Sequence, residues 1–590
     1  MLNFLRSVHR RDVLLLMLAA LIVRLAMLPW ARTVQADAVS RIHIAYEWLL
    51  DPHYIKEGYW GPLHHYLNAL FMLVLPGKTA GPLALNLLCV TLTVIPLYGF
   101  TRNVFGSRRG AVLASLLYVF SPIVLWTSMQ ALSEVSYGFF LAMAIYALSS
   151  PPQHGQNYRG MILGGLLITC AAALRYEAWV IIATLTLVVF LLRGWRHTVV
   201  FWLCAMIFPA TWMIGNWAAF GDPLYSVNQN DVWNMVKEGI NDDVLPVDRL
   251  KRTLFFPWSF MLNLSPIVVV MMLASLVYAI IRRRLARDQW AWLIPIVVMV
   301  AVFLIKARDG SLMMQHRFII TWLVLALPFV ALVFQGARWL HLRTAMVIAG
   351  LVSVIPMTLV WDKVDHTRHF GEGRFGPAMD DLVLAYYREM EVVPRLPDPE
   401  TDELLALINA AGKARPGSGL IVDFHGWDKT YYLLLHAQAN TIVVGGAKHE
   451  AYPLQEVQNI TRVHAHGMIV CSRTGMLNGH LRLRGNTMEM EGAQAPLVIE
   501  DMHTLRGLRL YSYRVAKEDD PEVVAAADEE PHAVFPPGKD AEYFDQQIRS
   551  DERWFNMVKR QAHWERRPLE EVLRGHVDYL VAMETQQRED

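Results

Sequence analysis

Two acids, several cations and a group of aromatic and imidazole side chains stand out because each lies beside the end of an apolar run. Asp37 sits in Gln35-Ala36-Asp37-Ala38-Val39-Ser40-Arg41, a few residues past the first such run, and Glu134 opens another in Ser133-Glu134-Val135-Ser136-Tyr137. Arg175-Tyr176-Glu177 falls between two runs, and Lys306, Arg308, His316 and Arg317 crowd one later connection. A carboxylate can take a proton from an attacking hydroxyl, and arginine and lysine hold phosphate, arginine through two parallel hydrogen bonds. Each residue also has a plainer reading. Asp37 serves as a cap for a helix over 38–50, and Glu134 as a first-turn acid complementing the helix dipole. Arg175 and Glu177 serve as an interfacial ion pair, and the later cations as lipid head-group contacts. The chemical reading requires that separate elements deliver these groups to one face.

The elements are membrane spans. With 54% hydrophobic and 18% charged residues in 590, the composition is not that of a soluble protein, and the apolar excess lies before residue 361. Windows such as 13–28, 111–125, 161–174, 180–192, 199–214, 267–281 and 345–360 are nearly charge-free and close to bilayer length. A net charge of +1 lacks the concentrated basic surface that nucleic acid requires, so no nucleic-acid partner is expected. Cys89, Cys170, Cys204 and Cys471 show no metal-type spacing and read as packing residues. Arg6, His9, Arg10 and Arg11 precede the first run, which reads as an uncleaved signal anchor with a cytoplasmic amino terminus.

Lysine and arginine in short loops then orient about eleven crossings. They lie near 13–30, 81–101, 110–127, 134–149, 159–175, 177–193, 197–216, 264–281, 289–305, 318–335 and 343–361. Residues 62–75 read as an interfacial helix, since a crossing there would put every later basic cluster outside. With this arrangement Asp37, Glu134, Arg175, Glu177, Lys306, Arg308, His316 and Arg317 all fall on the non-cytoplasmic face. Residues 31–80 form the first outer loop and 217–263 a long outer loop. After 361 the pattern becomes strands at 419–424, 441–445 and 467–471 alternating with helices at 401–411, 429–437 and 452–463. Such alternation predicts an α/β domain with a parallel sheet. Residues 516–540 read as an acidic, proline-rich linker and 541–586 as charged helix.

The order of several short motifs carries a resemblance. An acid in the first outer loop is followed by Trp60-Gly61-Pro62-Leu63-His64-His65-Tyr66-Leu67, Ser133-Glu134 and Leu174-Arg175-Tyr176-Glu177-Ala178-Trp179. Gly221-Asp222-Pro223-Leu224-Tyr225 and His316-Arg317-Phe318 complete the series. Over residues 10–361 this resembles the GT-C superfamily of polyprenyl-phosphate-dependent glycosyltransferases. The protein O-mannosyltransferases and the lipid A aminoarabinose transferases are the nearest groups within it. The resemblance implies a GT-C type for the polytopic helical membrane part, which with the hydropathy reading gives about eleven spans followed by the C-terminal soluble α/β domain read from the alternation. It implies Asp37 and Glu134 as the acids of the reaction, and Arg175 and Arg317, with Lys306 and Arg308, as donor-phosphate contacts. Trp60, His64, His65, Tyr176, Glu177 and His316 are expected to contact substrate. The chain departs from the family in carrying Asp37-Ala38 where the mannosyltransferases have Asp-Glu. It also has Trp60-Gly61-Pro62 where the aminoarabinose group has lysine before Pro-Pro, leaving Lys56 or His64 to replace that lysine.

The reaction implied is inverting transfer of a sugar from a polyprenyl phosphate to a glycan, lipid or protein acceptor, with Asp37 as general base. The donor, the acceptor and membrane lipids are the expected partners. No cofactor is assigned; a divalent metal, Mg or Mn, bridging Asp37, Glu134 and phosphate fits the chemistry, but no dedicated ligand cluster is visible. The domains expected are 1–361, 362–515 and 516–590, in a bacterial cytoplasmic membrane with the C-terminal domain outside. A lipid-linked sugar transporter and a non-catalytic envelope-assembly protein are the rival readings. A transporter places polar residues through the depth of its spans, whereas here they gather at one face. The turn Phe424-His425-Gly426-Trp427-Asp428-Lys429 follows a strand, with Asp428 read as a helix cap.

Overall fold

The computed structural model describes residues 10–28, 36–50, 52–55, 58, 60–75, 78–150, 158–238, 246–334, 343, 344, 348, 399–423, 433, 436, 437, 440–444, 452–473, 475–505, 508–517, 519–535, 540–550, 554, 555, 558, 559, 562 and 568–589. The chain divides into two compact units, Met1–Thr33 with Ile44–Pro394 and Val34–His43 with Arg395–Asp590.

The first unit is helical. Its elements are α1 Arg10–Met27, α2 Ala36–Leu50 (whose first turns belong to the second unit), α3 Leu63–Val74, α4 Ala80–Phe105, α5 Arg108–Phe120, α6 Pro122–Ser128, α7 Ser133–Ser149, α8 Arg159–Ala172 and α9 Glu177–Arg193. They continue as α10 Trp195–Ala205, α11 Ile207–Phe220, α12 Tyr225–Glu238, α13 Pro246–Leu264, α14 Pro266–Ile281 and α15 Arg287–Asp309. The last is α16 Ile320–Ala326, flanked by 3-10 turns at His316–Ile319 and Leu327–Phe334. Helix α4 is central, buried along most of its length and packed on α1, α3, α5 and α7. Helices at the rim are apolar outward as well. On α1, Val13, Leu16 and Ala20 are buried while Leu14, Leu15, Leu18, Ile22 and Leu25 are exposed, the pattern of a helix with lipid on its outer side.

Prolines set the bends. Pro122 and Pro266 push the residue before them out of the helical region, so α5 and α6 meet at 54° and α13 and α14 at 107°, with Ser265 at φ 75°. Helices α10 and α11 meet at 47°. Among the described residues, three helices are long and apolar enough to cross a membrane, or up to six if each bent pair is one span. The expected eleven are more because α7 and α9 have only 17 residues and α8 only 14, at or below the ~17–25 that a span needs, and because α1 carries Arg10, Arg11, Asp12 and Arg24 within its 18 residues. Residues 345–347 and 349–361 lie outside the described residues. The stretch 217–263, read as a long loop, contains α12, polar along its length, and α13, in which Asp248, Arg249, Lys251 and Arg252 precede the apolar residues 254–262.

In the second unit, α17 Pro399–Ala414 and α18 Leu454–Val463 accompany the strands β1 Gly419–Asp423, β2 Asn440–Val444 and β3 His466–Cys471. The sheet continues through β4 Leu481–Arg484, β5 Thr487–Met490, β6 Leu497–Leu505, β7 Leu508–Val515 and β8 His532–Ala533. Helices α19 Pro521–Ala526, α20 Ala541–Ser550 and α21 Leu569–Glu589 complete the unit. β2, β1 and β3 pair in parallel as the alternation predicts. The sheet as a whole is mixed and eight-stranded, ordered β2-β1-β3-β7-β6-β5-β4-β8, with every pairing from β3 outward antiparallel. The reading of 516–540 as linker is corrected accordingly, because α19 and β8 fall inside it and β8 pairs with β4. β1 is buried at every residue, with Leu404 and Ile408 in the core on one face of the sheet and Val457 and Ile460 in the core on the other.

Candidate active site

Three separate stretches of the first unit deliver four charged side chains to one point. The first turn of α7 brings Glu134, 2% exposed, and the turn between α8 and α9 brings Arg175 and Glu177, 12% and 18% exposed. The 3-10 turn before α16 brings Arg317, 2% exposed. Arg175 Nη1 donates to Glu134 Oε1 at 2.6 Å, and its Nη2 to Glu177 Oε1 at 2.6 Å, with Nε 3.1 Å from the same oxygen. Arg317 Nε lies 3.3 Å from Glu134 Oε1 and donates to Gln315 Oε1 at 2.7 Å. Both guanidinium groups stand over the Phe318 ring, at 4.8 and 5.5 Å. Two arginines and two glutamates balance, as burial of charge demands. The balance is incomplete at the level of atoms. Glu134 Oε2 and Ser133 Oγ are buried and have no hydrogen-bond partner among the described residues. A buried carboxylate oxygen left without a donor is costly.

Neighbouring elements fix these groups in place. Asn86 of α4 aims Nδ2 at the carbonyls of Thr127, Gln130 and Leu132, at 3.3, 3.4 and 3.1 Å, and so holds the turn that leads into Glu134. Gly61 lies so close to Ala173 that a Cβ would overlap its carbonyl, and Leu63 N donates to that oxygen at 3.2 Å. The start of α3 is thereby seated on the turn that carries Arg175. Arg252 of α13 donates to Ala307 O and Leu312 O, at 2.9 and 3.0 Å, and ties down the connection before His316.

The other expected residues divide. Tyr176 donates through its hydroxyl to Gly58 O at 3.4 Å and packs edge-on against Trp179, while Trp60 lies 6.3 Å from the His65 ring. His64 and His65 are buried in the first turns of α3, with His64 Nδ1 3.3 Å from Asn68 Nδ2. His316 is buried with Nδ1 2.6 Å from Ser259 Oγ. Lys306 pairs with Asp231 of α12 at 2.6 Å, and Arg308 is exposed in the last turn of α15. Neither of these two cations is bonded to the Glu134 cluster in any described contact. Asp37 is half-buried in the first turn of α2. Lys56 and the turn 424–430 lie outside the described residues. Gln315, Asn86 and Asp231 were not anticipated, since single neutral amides and a lone acid in a polar helix give no signal in sequence. Among the described residues no group of three or more His, Cys, Asp or Glu side chains is placed to hold a metal.

Residues 60–214 match the family described as dolichyl-phosphate-mannose-protein mannosyltransferase, a segment that contains Glu134, Arg175 and Glu177. Among solved structures, the chain is similar to ArnT from Cupriavidus metallidurans bound to undecaprenyl phosphate. The TM-score is 0.53 at 13% identity, over 86% of this chain and 98% of that one. It is also similar to the Archaeoglobus fulgidus oligosaccharyltransferase tethered to an acceptor peptide, with a TM-score of 0.46 at 13% identity over 79% and 70% of the two chains. A third is the arabinofuranosyltransferase AftD from Mycobacteria, with a TM-score of 0.42 at 14% identity over 87% and 42%. No curated protein matches the sequence. The matched family and these structures are glycosyltransferases of the GT-C type, and the likeness to ArnT shows that this chain shares the fold of that structure.

Proposed function

We propose that this chain, having the GT-C fold, is a membrane glycosyltransferase that moves a sugar from a polyprenyl-phosphate donor to a hydroxyl acceptor on the non-cytoplasmic face, with inversion. The observation that carries this reading is the buried Glu134–Arg175–Glu177–Arg317 cluster, gathered from separate helices, with the first three residues inside the matched family segment and Arg317 well outside it. The solved ArnT relative holds undecaprenyl phosphate, which supports a lipid phosphate as leaving group here.

In the reaction, Asp37 takes the acceptor hydroxyl proton as its oxygen forms a bond to the anomeric carbon. The bond from that carbon to the phosphate oxygen breaks, and its electron pair stays on the phosphate. The phosphate leaves as a stable anion, so cations can replace a general acid. Arg175 suits this task because its described contacts occupy three of its five N–H donors and leave two for phosphate. Glu134 keeps both arginines in place and offers Oε2 to a sugar or acceptor hydroxyl. A transporter reading is less well supported, since the charged residues of the cluster meet at helix ends rather than along the spans. Membrane vesicles containing the protein, supplied with a polyprenyl-phosphate sugar, test the assignment. Asp37→Asn is expected to abolish transfer while donor binding persists, and full activity in that variant would sink the catalytic role.

A further inference from the structure

The opposite end of the helical unit carries a second site. Arg287, at the start of α15, donates to Leu191 O near the end of α9, and Gln289 Nε2 donates to Val104 O near the end of α4 at 3.3 Å. Helix α9 begins at Glu177, so this end lies roughly 20 Å along its axis from the Glu134 cluster, at 1.5 Å per residue. Between α14 and the 3-10 turn Leu327–Phe334 is a cavity of about 250 Å³. Its lining combines apolar residues, Met271, Ala274 and Leu332 among them, with Tyr278, Arg284 and Arg343. The described lining contributes two guanidinium groups and no carboxylate.

Backbone geometry directs one of these cations. Helix α14 closes with Arg284 N donating to Ala279 O at 2.8 Å and Arg283 N to Ile280 O at 3.0 Å, a turn whose penultimate residue must be left-handed. Glycine usually fills that position, but here it is Arg283 at φ 50°. A side chain there is strained by about 1–2 kcal/mol. The turn folds Arg284 back so that its guanidinium stands 5.3 Å over the Tyr278 ring, with Arg282 at 5.8 Å. Arg343 is anchored by Nη1 donating to Val333 O at 3.0 Å. Beside the cavity, Leu273, Val277 and Ile281 of α14 are exposed and apolar, as on a lipid-facing helix.

We propose that this cavity binds an anionic phospholipid. Its head-group phosphate lies between Arg284 and Arg343, and the first part of one acyl chain runs along Met271, Ala274 and Leu332. The volume equals that of about eight waters at liquid density, enough for a phosphate and the adjoining carbons. Arginine suits phosphate through paired N–H donors, and basic pockets between membrane helices take lipid head groups of this kind. The apolar lining residues and the lipid-facing flank favour a lipid over a free anion. Protein reconstituted in nanodiscs of phosphatidylcholine and phosphatidylglycerol, then released and examined by native mass spectrometry, tests this. The wild-type chain is expected to retain phosphatidylglycerol over phosphatidylcholine by about tenfold or more, from two arginine contacts. Arg284→Gln with Arg343→Gln is expected to lose that preference, as is Ala274→Trp, which fills the cavity from an exposed position and keeps both charges. Excess inorganic phosphate is expected to leave the retained lipid in place. Equal retention in wild type and in monodisperse Ala274→Trp protein, or displacement of the lipid by inorganic phosphate, would overturn the proposal.

Discussion

Glu134 is the residue on which the cluster turns, because one of its oxygens receives Arg175 and lies within reach of Arg317, while the other receives nothing described. Removing one partner of a buried ion pair leaves the rest uncompensated, at a cost of about 3–5 kcal/mol. Glu134→Leu is therefore expected to lower the unfolding temperature in detergent sharply, and a change worth less than about 1 kcal/mol would show the pairing to be incidental. Glu134→Gln keeps the shape and one acceptor, so it is expected to fold with a smaller loss and to transfer sugar at least 100-fold more slowly, within the range for general acid–base and charge-stabilising groups. Sequence alone singled out Glu134, Arg175, Glu177 and Arg317, since a charge bordering an apolar run is conspicuous. It did not show that Lys306 is taken by Asp231 or that Gln315 receives Arg317, because such pairings depend on how distant helices are brought together.

At the scale of elements, the junction of α3 with the α8–α9 turn is the most sensitive to small changes. Gly61→Ala introduces a Cβ that overlaps the Ala173 carbonyl, so either α3 or the Arg175 turn must move. Transfer is expected to fall at least tenfold with the bundle still folded, since small misplacements at a reacting centre are expensive; unchanged kinetics would show that α3 has no part in placing Arg175. Asn86→Leu removes the amide that holds the turn before α7 and strands buried carbonyls, at about 1–3 kcal/mol for each group left without a donor. Apolar runs made most of the helices legible, but the breaks before Pro122 and Pro266 went unread, since 110–127 reads as one unbroken apolar run. The angles at those breaks, 54° and 107°, follow from packing and could not be read. Helices α12 and α13 escaped notice because α12 is polar along its length and charged residues precede the apolar part of α13. Strands β4 to β8 escaped notice because they are short or half exposed and pair only across the sheet, whereas the continuous apolar runs of β1 and β3 were plain.

At the scale of the whole molecule, the second unit adds its own pH dependence. Burial pushes the Asp423 carboxyl up to about 7, against the opposing hydrogen bonds from Leu477 N and Ser472 N. The folded unit thus keeps a proton that the unfolded chain releases above its ordinary value near 4. The stability this group contributes is fully present below that value and is lost as pH rises through about 7, at up to about 1.4 kcal/mol per pH unit. Unfolding of the detergent-solubilised protein between pH 4.5 and 7.5 is expected to show this decline, with a shallower slope in Asp423→Asn; identical slopes would refute it. Glycosyl transfer itself is tested most directly by mass spectrometry of lipids and glycans from cells lacking this protein. A polyprenyl-phosphate sugar should accumulate together with an acceptor short by one residue, and both should disappear when the wild-type chain, but not Asp37→Asn, is restored. Unchanged lipid and glycan profiles, or full restoration by Asp37→Asn, would contradict the assignment.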